Sequence, residues 1–136
     1  MSVEGHVVAS CASGVAVLLG VARDDTSDVA ERLARKVARL RIFENDDGRF
    51  DRSLADIGGE ALVVSQFTLI ADTRKGNRPS FTEAAVPEAA EPLYESFCYA
   101  LEGEGIQVGR GVLGARMEVA LVNDGPVTIV LDLPKS

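Results

Sequence analysis

Ala61-Leu62-Val63-Val64-Ser65-Gln66-Phe67-Thr68-Leu69-Ile70 reads as an apolar, strand-like run interrupted by Ser65, Gln66 and Thr68. Polar atoms in a buried strand must find partners or cost about 1–3 kcal/mol each. A second interruption, Asn123-Asp124-Gly125-Pro126, lies between the apolar runs Met117 to Val122 and Val127 to Leu133. Together the two interruptions mark a candidate site. Strand alternation puts Ser65 and Phe67 on one face and Gln66 and Thr68 on the other, so a straight strand cannot aim all four into one pocket. If the strand ends or bends at Ser65, the amides of Gln66 and Phe67 come free and can form an oxyanion hole without a side-chain base. The competing reading is a strand whose polar side chains bond neighbouring loops, and spacing alone leaves both standing. Gly125-Pro126 likewise reads as a tight turn, with a cis peptide found in only about 5–6% of X-Pro bonds.

Working outward, Glu4-Gly5 predicts a hairpin turn between Ser2-Val3 and His6-Val7, and Val15 to Leu19 predicts a second strand ending at Gly20. Val29, Leu33, Val37 and Leu40 recur at helical spacing, which predicts a helix over 28–41 with Asp28 as N-cap and Glu31 three residues on. Its other face carries Arg32, Arg35, Lys36 and Arg39, read as a solvated face in preference to a phosphate contact. A second helix is expected from Pro87 to Glu102 with Leu93, Phe97, Ala100 and Leu101 inward. Pro92 should kink it or delay its start. Two strands, Met117 to Val122 and Val127 to Leu133, should follow, and two main helices among many strands imply an α+β fold.

With 136 residues and 46% hydrophobic content the chain suits one domain, 1–136. Its longest apolar runs fall far short of the ~20 residues of a membrane span, and no signal segment is legible, so a cytoplasmic, membrane-free protein is expected. Two cysteines, Cys11 and Cys98, lack the spacing of a disulfide framework or a zinc site and read as buried free thiols. A net charge of −7 argues against binding nucleic acid through the bulk field, so any RNA contact must be local. Residues 71–81, with Arg74, Lys75 and Arg78 beside Gly76 and Pro79, read as a functional loop. His6, the only histidine, has no acidic or cysteine partner near it, which argues against a Ser-His-Asp site and a histidine-held metal.

Three ordered motifs then carry a resemblance: Ser65-Gln66-Phe67-Thr68-Leu69, Arg74-Lys75-Gly76-Asn77-Arg78-Pro79-Ser80-Phe81, and Leu121-Val122-Asn123-Asp124-Gly125-Pro126-Val127-Thr128. From about Val3 to Leu131 the chain resembles the D-aminoacyl-tRNA deacylase family. The resemblance implies a compact, barrel-like antiparallel or mixed β-sheet domain. It also implies a homodimer in which Gly125 and cis-Pro126 of one subunit enter the other's site as a chiral gate, excluding L substrates by clash. The implied reaction is hydrolysis of the ester joining a D-amino acid to the 3′ end of tRNA, with glycyl-tRNA as a further substrate class and a ribose hydroxyl assisting. No metal, cofactor or DNA partner is implied. Carried over by motif, Ser65, Gln66 and Phe67 form the pocket floor and Thr68 supports it. Phe81, Met117, Leu113, Val127 and Thr128 line the pocket, and Arg74, Lys75 and Arg78 meet tRNA phosphates.

Two departures from the family pattern stand out. Relatives usually begin with a further strand of about a dozen residues, absent here, whose loss would expose a sheet edge and loosen the gate. Relatives also commonly carry an aromatic at Leu113 and an acidic or neutral residue at Arg116. An alternative reading is therefore an accessory module that binds the tRNA end without efficient turnover, and a third is a structural dimer with no RNA partner.

Overall fold

The computed structural model describes residues 1–133; the last three residues of the expected 1–136 domain lie outside them. In chain order the elements are β1 (Ser2–Val3), β2 (His6–Val7), β3 (Gly14–Leu19), α1 (Ser27–Arg39), β4 (Arg41–Glu44), β5 (Phe50–Ser53), α2 (Leu54–Ile57), β6 (Glu60–Ser65), a 3₁₀ turn (Phe67–Leu69), α3 (Pro87–Gly103), β7 (Gln107–Arg110) and β8 (Met117–Glu118). The frame is a parallel sheet of order β3-β6-β7, with Val17 opposite Val63 and Val63 opposite Arg110. Both crossovers carry their long helix to one face, where α1 and α3 pack on Ala61 and Val63. Leu62 and Val64 point the other way, into a smaller cluster with Met1 and half-buried Met117. Burial on both faces explains why β6 reads as a continuous apolar run instead of an alternating one.

Glu4 and Gly5 both take positive φ, 49° and 81°, and close the predicted hairpin of β1 and β2. Gly14 opens β3 so close to its neighbour that an added Cβ would lie 1.8 Å from the Glu60 carbonyl oxygen. In α1 the N-cap is Thr26, whose hydroxyl accepts from the Val29 amide, and not Asp28. Asp28 sits instead in the first turn, where a carboxylate suits the positive helix end. The basic face of α1 is partly paired, Arg32 with Asp28 at 4.0 Å and Arg39 with Glu104 at 2.7 Å. In α3 the chain turns helical at Pro87 and carries Pro92 in its interior. Its buried side is rotated about one residue from the expectation: Ala90, Tyr94, Phe97, Cys98 and Leu101 are inside, and Leu93 and Ala100 are half-buried.

Two expectations need correction. None of the sheets closes into a barrel among the described residues: the other two are β2-β1-β8 and the β4-β5 pair. Of the two expected terminal strands, only Met117–Glu118 pairs, with Val3 and Ser2. The reason is partner supply: β1 is two residues long and β2 occupies its other edge, so the ladder ends at Glu118. Residues 119–133 have no ladder partner among the described residues, and Leu121, Val122, Ile129 and Val130 lie exposed.

Candidate active site

The central strand stops where its polar residues begin. Leu19 and Ser65 are the last register pair of β3 and β6, and the Gln66 amide extends that ladder by donating to the Leu19 carbonyl at 2.7 Å. The chain then coils into the 3₁₀ turn, closed by Leu69 N to Gln66 O at 3.2 Å and Ile70 N to Phe67 O at 3.0 Å. The amides of Phe67 and Thr68 open this turn and have no carbonyl behind them within it. The bend at Ser65 is therefore present, and Gln66 is the exception to the expectation that its amide would be free. The turn seats against Gly20, where a Cβ would lie 3.1 Å from Leu69 Cβ. Gln66 Nε2 donates to the Thr68 hydroxyl, joining the two residues across the turn. Phe67 meets Phe81 edge-to-face, ring centroids 5.0 Å apart.

The loop between these aromatics is pinched by reciprocal bonds between the backbones of Asp72 and Ser80, at 2.7 and 2.8 Å. Arg74 folds back as a fork onto Asp72, Nε to Oδ1 at 2.9 Å and a terminal nitrogen to Oδ2 at 2.8 Å. This bond holds the Asp72 carboxyl below its ordinary range and Arg74 above its own. Arg74 is thus engaged within the loop, whereas Lys75 and Arg78 are exposed at its tip. Sequence reading missed Arg23, whose amide donates to Glu83 O at 2.9 Å and whose guanidinium donates to Thr82 O at 3.3 Å, tying down the segment after Phe81. No local motif marks it, because the contact spans 59 residues.

Met117 packs with Leu62 and Val64 beneath the sheet, while Leu113 packs toward the helix side, so the structure places these two pocket candidates in different clusters. Gly125 and Pro126 are exposed and joined by a cis peptide. Asn123 spans them: its Oδ1 accepts from Val127 N and its Nδ2 donates to Thr128 Oγ1, both at 2.9 Å. Val127 is half-buried and Thr128 exposed.

Other chemistry is sparse. His6 is exposed in the first hairpin. Cys98 is buried, and burial pushes its thiol up to about 11, which makes it a poor nucleophile at neutral pH. Cys11 is only half-buried. Among the described residues no cluster of three or more His, Cys, Asp or Glu could hold a metal, and no helix is long and apolar enough to cross a membrane. A groove of about 560 Å³ runs between α1 and α3, lined by residues such as Arg35, Glu95 and Tyr99 and by none of the motif residues.

The D-Tyr-tRNA(Tyr) deacylase family model matches residues 1–132. The chain is 61% identical over 132 residues to a D-aminoacyl-tRNA deacylase of Roseiflexus castenholzii, covering 97% of this chain and 84% of that one. It is 53% identical over 132 residues to a D-aminoacyl-tRNA deacylase of Thermus aquaticus, covering 97% and 87%. A solved structure titled c-Myc DNA Unwinding Element Binding Protein superposes with a TM-score of 0.90 at 39% identity, covering 98% of this chain and 91% of that one. With a match along nearly its whole length to the family model and to these relatives, the chain belongs to the D-Tyr-tRNA(Tyr) deacylase family.

Proposed function

We propose that this protein hydrolyses the ester of D-aminoacyl-tRNA, releasing the D-amino acid and free tRNA. The observation that carries the reading is the bent end of β6, where the Phe67 and Thr68 amides open a turn beside the Phe67–Phe81 pair. An aminoacyl ester is already activated, so two amide donors at the developing oxyanion and a ribose hydroxyl that assists water suffice. Ser65 and Gln66 shape the floor, and the Thr68 hydroxyl, bonded by Gln66, is structural. Phe81 and Met117 line the adenosine or aminoacyl side and Val127 and Thr128 complete the walls, while Leu113, packed toward the helix side, borders the pocket only at its edge.

Selectivity is steric in this reading. Gly125 and Pro126 of a second copy enter the site, and their carbonyls clash with an L side chain but admit D residues and glycine, which makes glycyl-tRNA a second substrate class. The braced, exposed turn and the apolar strip around it support a homodimer. Lys75 and Arg78 meet phosphates near the tRNA 3′ end, with Arg74 shaping the loop through Asp72. A net charge of −7 disfavours duplex DNA as a partner. A reaction on charged tRNA, needing no cofactor, fits a cytoplasmic protein.

The test compares release of tyrosine from D-tyrosyl-tRNA and L-tyrosyl-tRNA at matched enzyme and salt. D-selective release is expected. Equal release of both sinks the gate, and tRNA binding without release moves the reading to an accessory module.

A further inference from the structure

We propose that Tyr94 is a positioning residue for this deacylation, a latch that holds together the two chain segments forming the pocket; the proposal rests on the deacylase reading above. Tyr94 stands on the inner face of α3 and is 2% exposed. A buried phenol must place its hydroxyl, and here, beside the Cys98 thiol of its own helix, both backbone partners belong to other parts of the chain. It donates to the Val63 carbonyl at 2.7 Å and accepts from the Gly111 amide at 3.1 Å.

Those partners lie at the point where the sheet divides. Val63 and Arg110 are the last register pair between β6 and β7, and beyond it the direct bond from Gly111 N to Val63 O has stretched to 3.4 Å. Past Val63, β6 runs two residues to Ser65 and the turn that presents the Phe67 and Thr68 amides. Past Gly111, the chain leaves through Leu113 to Met117. The phenol oxygen sits between the diverging backbones and sets their separation. Gly111 lies against two methionine side chains: an added Cβ would lie 2.6 Å from Met117 Sδ and 2.8 Å from Met1 Sδ. A shift of Gly111 therefore moves Met117, which packs against Leu62 and Val64 of β6. Burial pushes the phenol up to about 12, so it stays protonated and keeps donating across neutral pH.

Tyr94→Phe keeps the ring in the core and deletes only the oxygen. With the full chain, KM for D-tyrosyl-tRNA should rise about ten-fold with kcat within about two-fold, as one buried hydrogen-bond partner is lost. Amide hydrogen exchange at Gly111 should quicken by about ten-fold or more. Phe97→Leu, a change in the same core that leaves the Tyr94 oxygen and both of its backbone hydrogen bonds in place, serves as control: it should lower the melting temperature comparably and leave KM unchanged. A wild-type KM in Tyr94→Phe, or a KM that rises equally in Phe97→Leu, overturns the latch. Unchanged Gly111 exchange overturns it whatever the activity. A folded wild type that releases no D-tyrosine instead overturns the deacylase reading, and Tyr94's catalytic relevance with it.

Discussion

Thr68 is the hydroxyl most easily mistaken for a nucleophile, and its surroundings argue otherwise. Its oxygen is bonded by Gln66 Nε2, an amide that cannot take a proton from it. Among the described residues the single histidine lies in the distant β1–β2 hairpin, and Cys98 is buried behind the sheet. The Thr68 backbone amide, by contrast, survives replacement of the side chain by alanine. Thr68→Ala should therefore retain D-tyrosyl-tRNA turnover within about ten-fold of wild type, the span expected for losing a supporting hydrogen bond. Abolished turnover in a folded variant that still binds the tRNA would make the hydroxyl a reacting group.

At the scale of elements, short-range caps carry much of the local order. Thr26→Ala removes the N-cap of α1 and should cost about 1 kcal/mol of unfolding free energy, read by urea denaturation. The shorter α2 is held by a reciprocal box in which Ser53 Oγ accepts from the Asp56 amide at 3.0 Å and Asp56 Oδ2 accepts from the Ser53 amide at 2.9 Å. The bond from the Ser53 amide, with the Ser53 hydroxyl second, lowers the Asp56 carboxyl below its ordinary range. A carboxylate lowered on folding contributes stability above its unfolded pKa and loses it as pH falls through the folded one. The melting-temperature gap between wild type and Asp56→Asn should thus be full at neutral pH and close only in acid, below the ordinary aspartate range. A gap that is the same at neutral and acid pH would show that the carboxylate's charge contributes nothing.

Among the described residues the whole molecule is a helix layer, a parallel sheet and two small antiparallel sheets, with an apolar segment, 119–133, that finds no ladder partner. Val122 and Val130 are 91% and 89% exposed, unusual for valine flanking a structured turn. If a second copy covers this strip, Val130→Asp should shift the protein from dimer to monomer in sedimentation equilibrium, at low micromolar concentration, and remove D-selective turnover together with the dimer. A monomeric wild type with full D-selective turnover would refute the cross-subunit gate.

Read alone, the sequence determined what depends on near neighbours along the chain. The 3.6-residue periods marked α1 and α3 and Glu4-Gly5 marked the hairpin, because each is decided within a few residues, whereas the polar break at Ser65 left a strand end and a continuing strand both open until the 3₁₀ turn decided it. Three ordered motifs also carried the family resemblance. Other features waited for the tertiary structure. Thr26 displaced Asp28 as cap by one turn's geometry, and α2 is too short for any period to reveal. Gln66 lost its free amide to Leu19, 47 residues earlier by number, and Arg74 turned inward to Asp72. The 117–133 segment has the composition of two strands yet pairs over two residues, since a strand exists only where a partner edge does. The helical spacing pointed inward at Leu93 and not at Tyr94, and only the meeting of α3 with the ends of β6 and β7 gave the Tyr94 hydroxyl a task. Local pattern fixes which elements form, and long-range packing decides which polar groups those elements bring together.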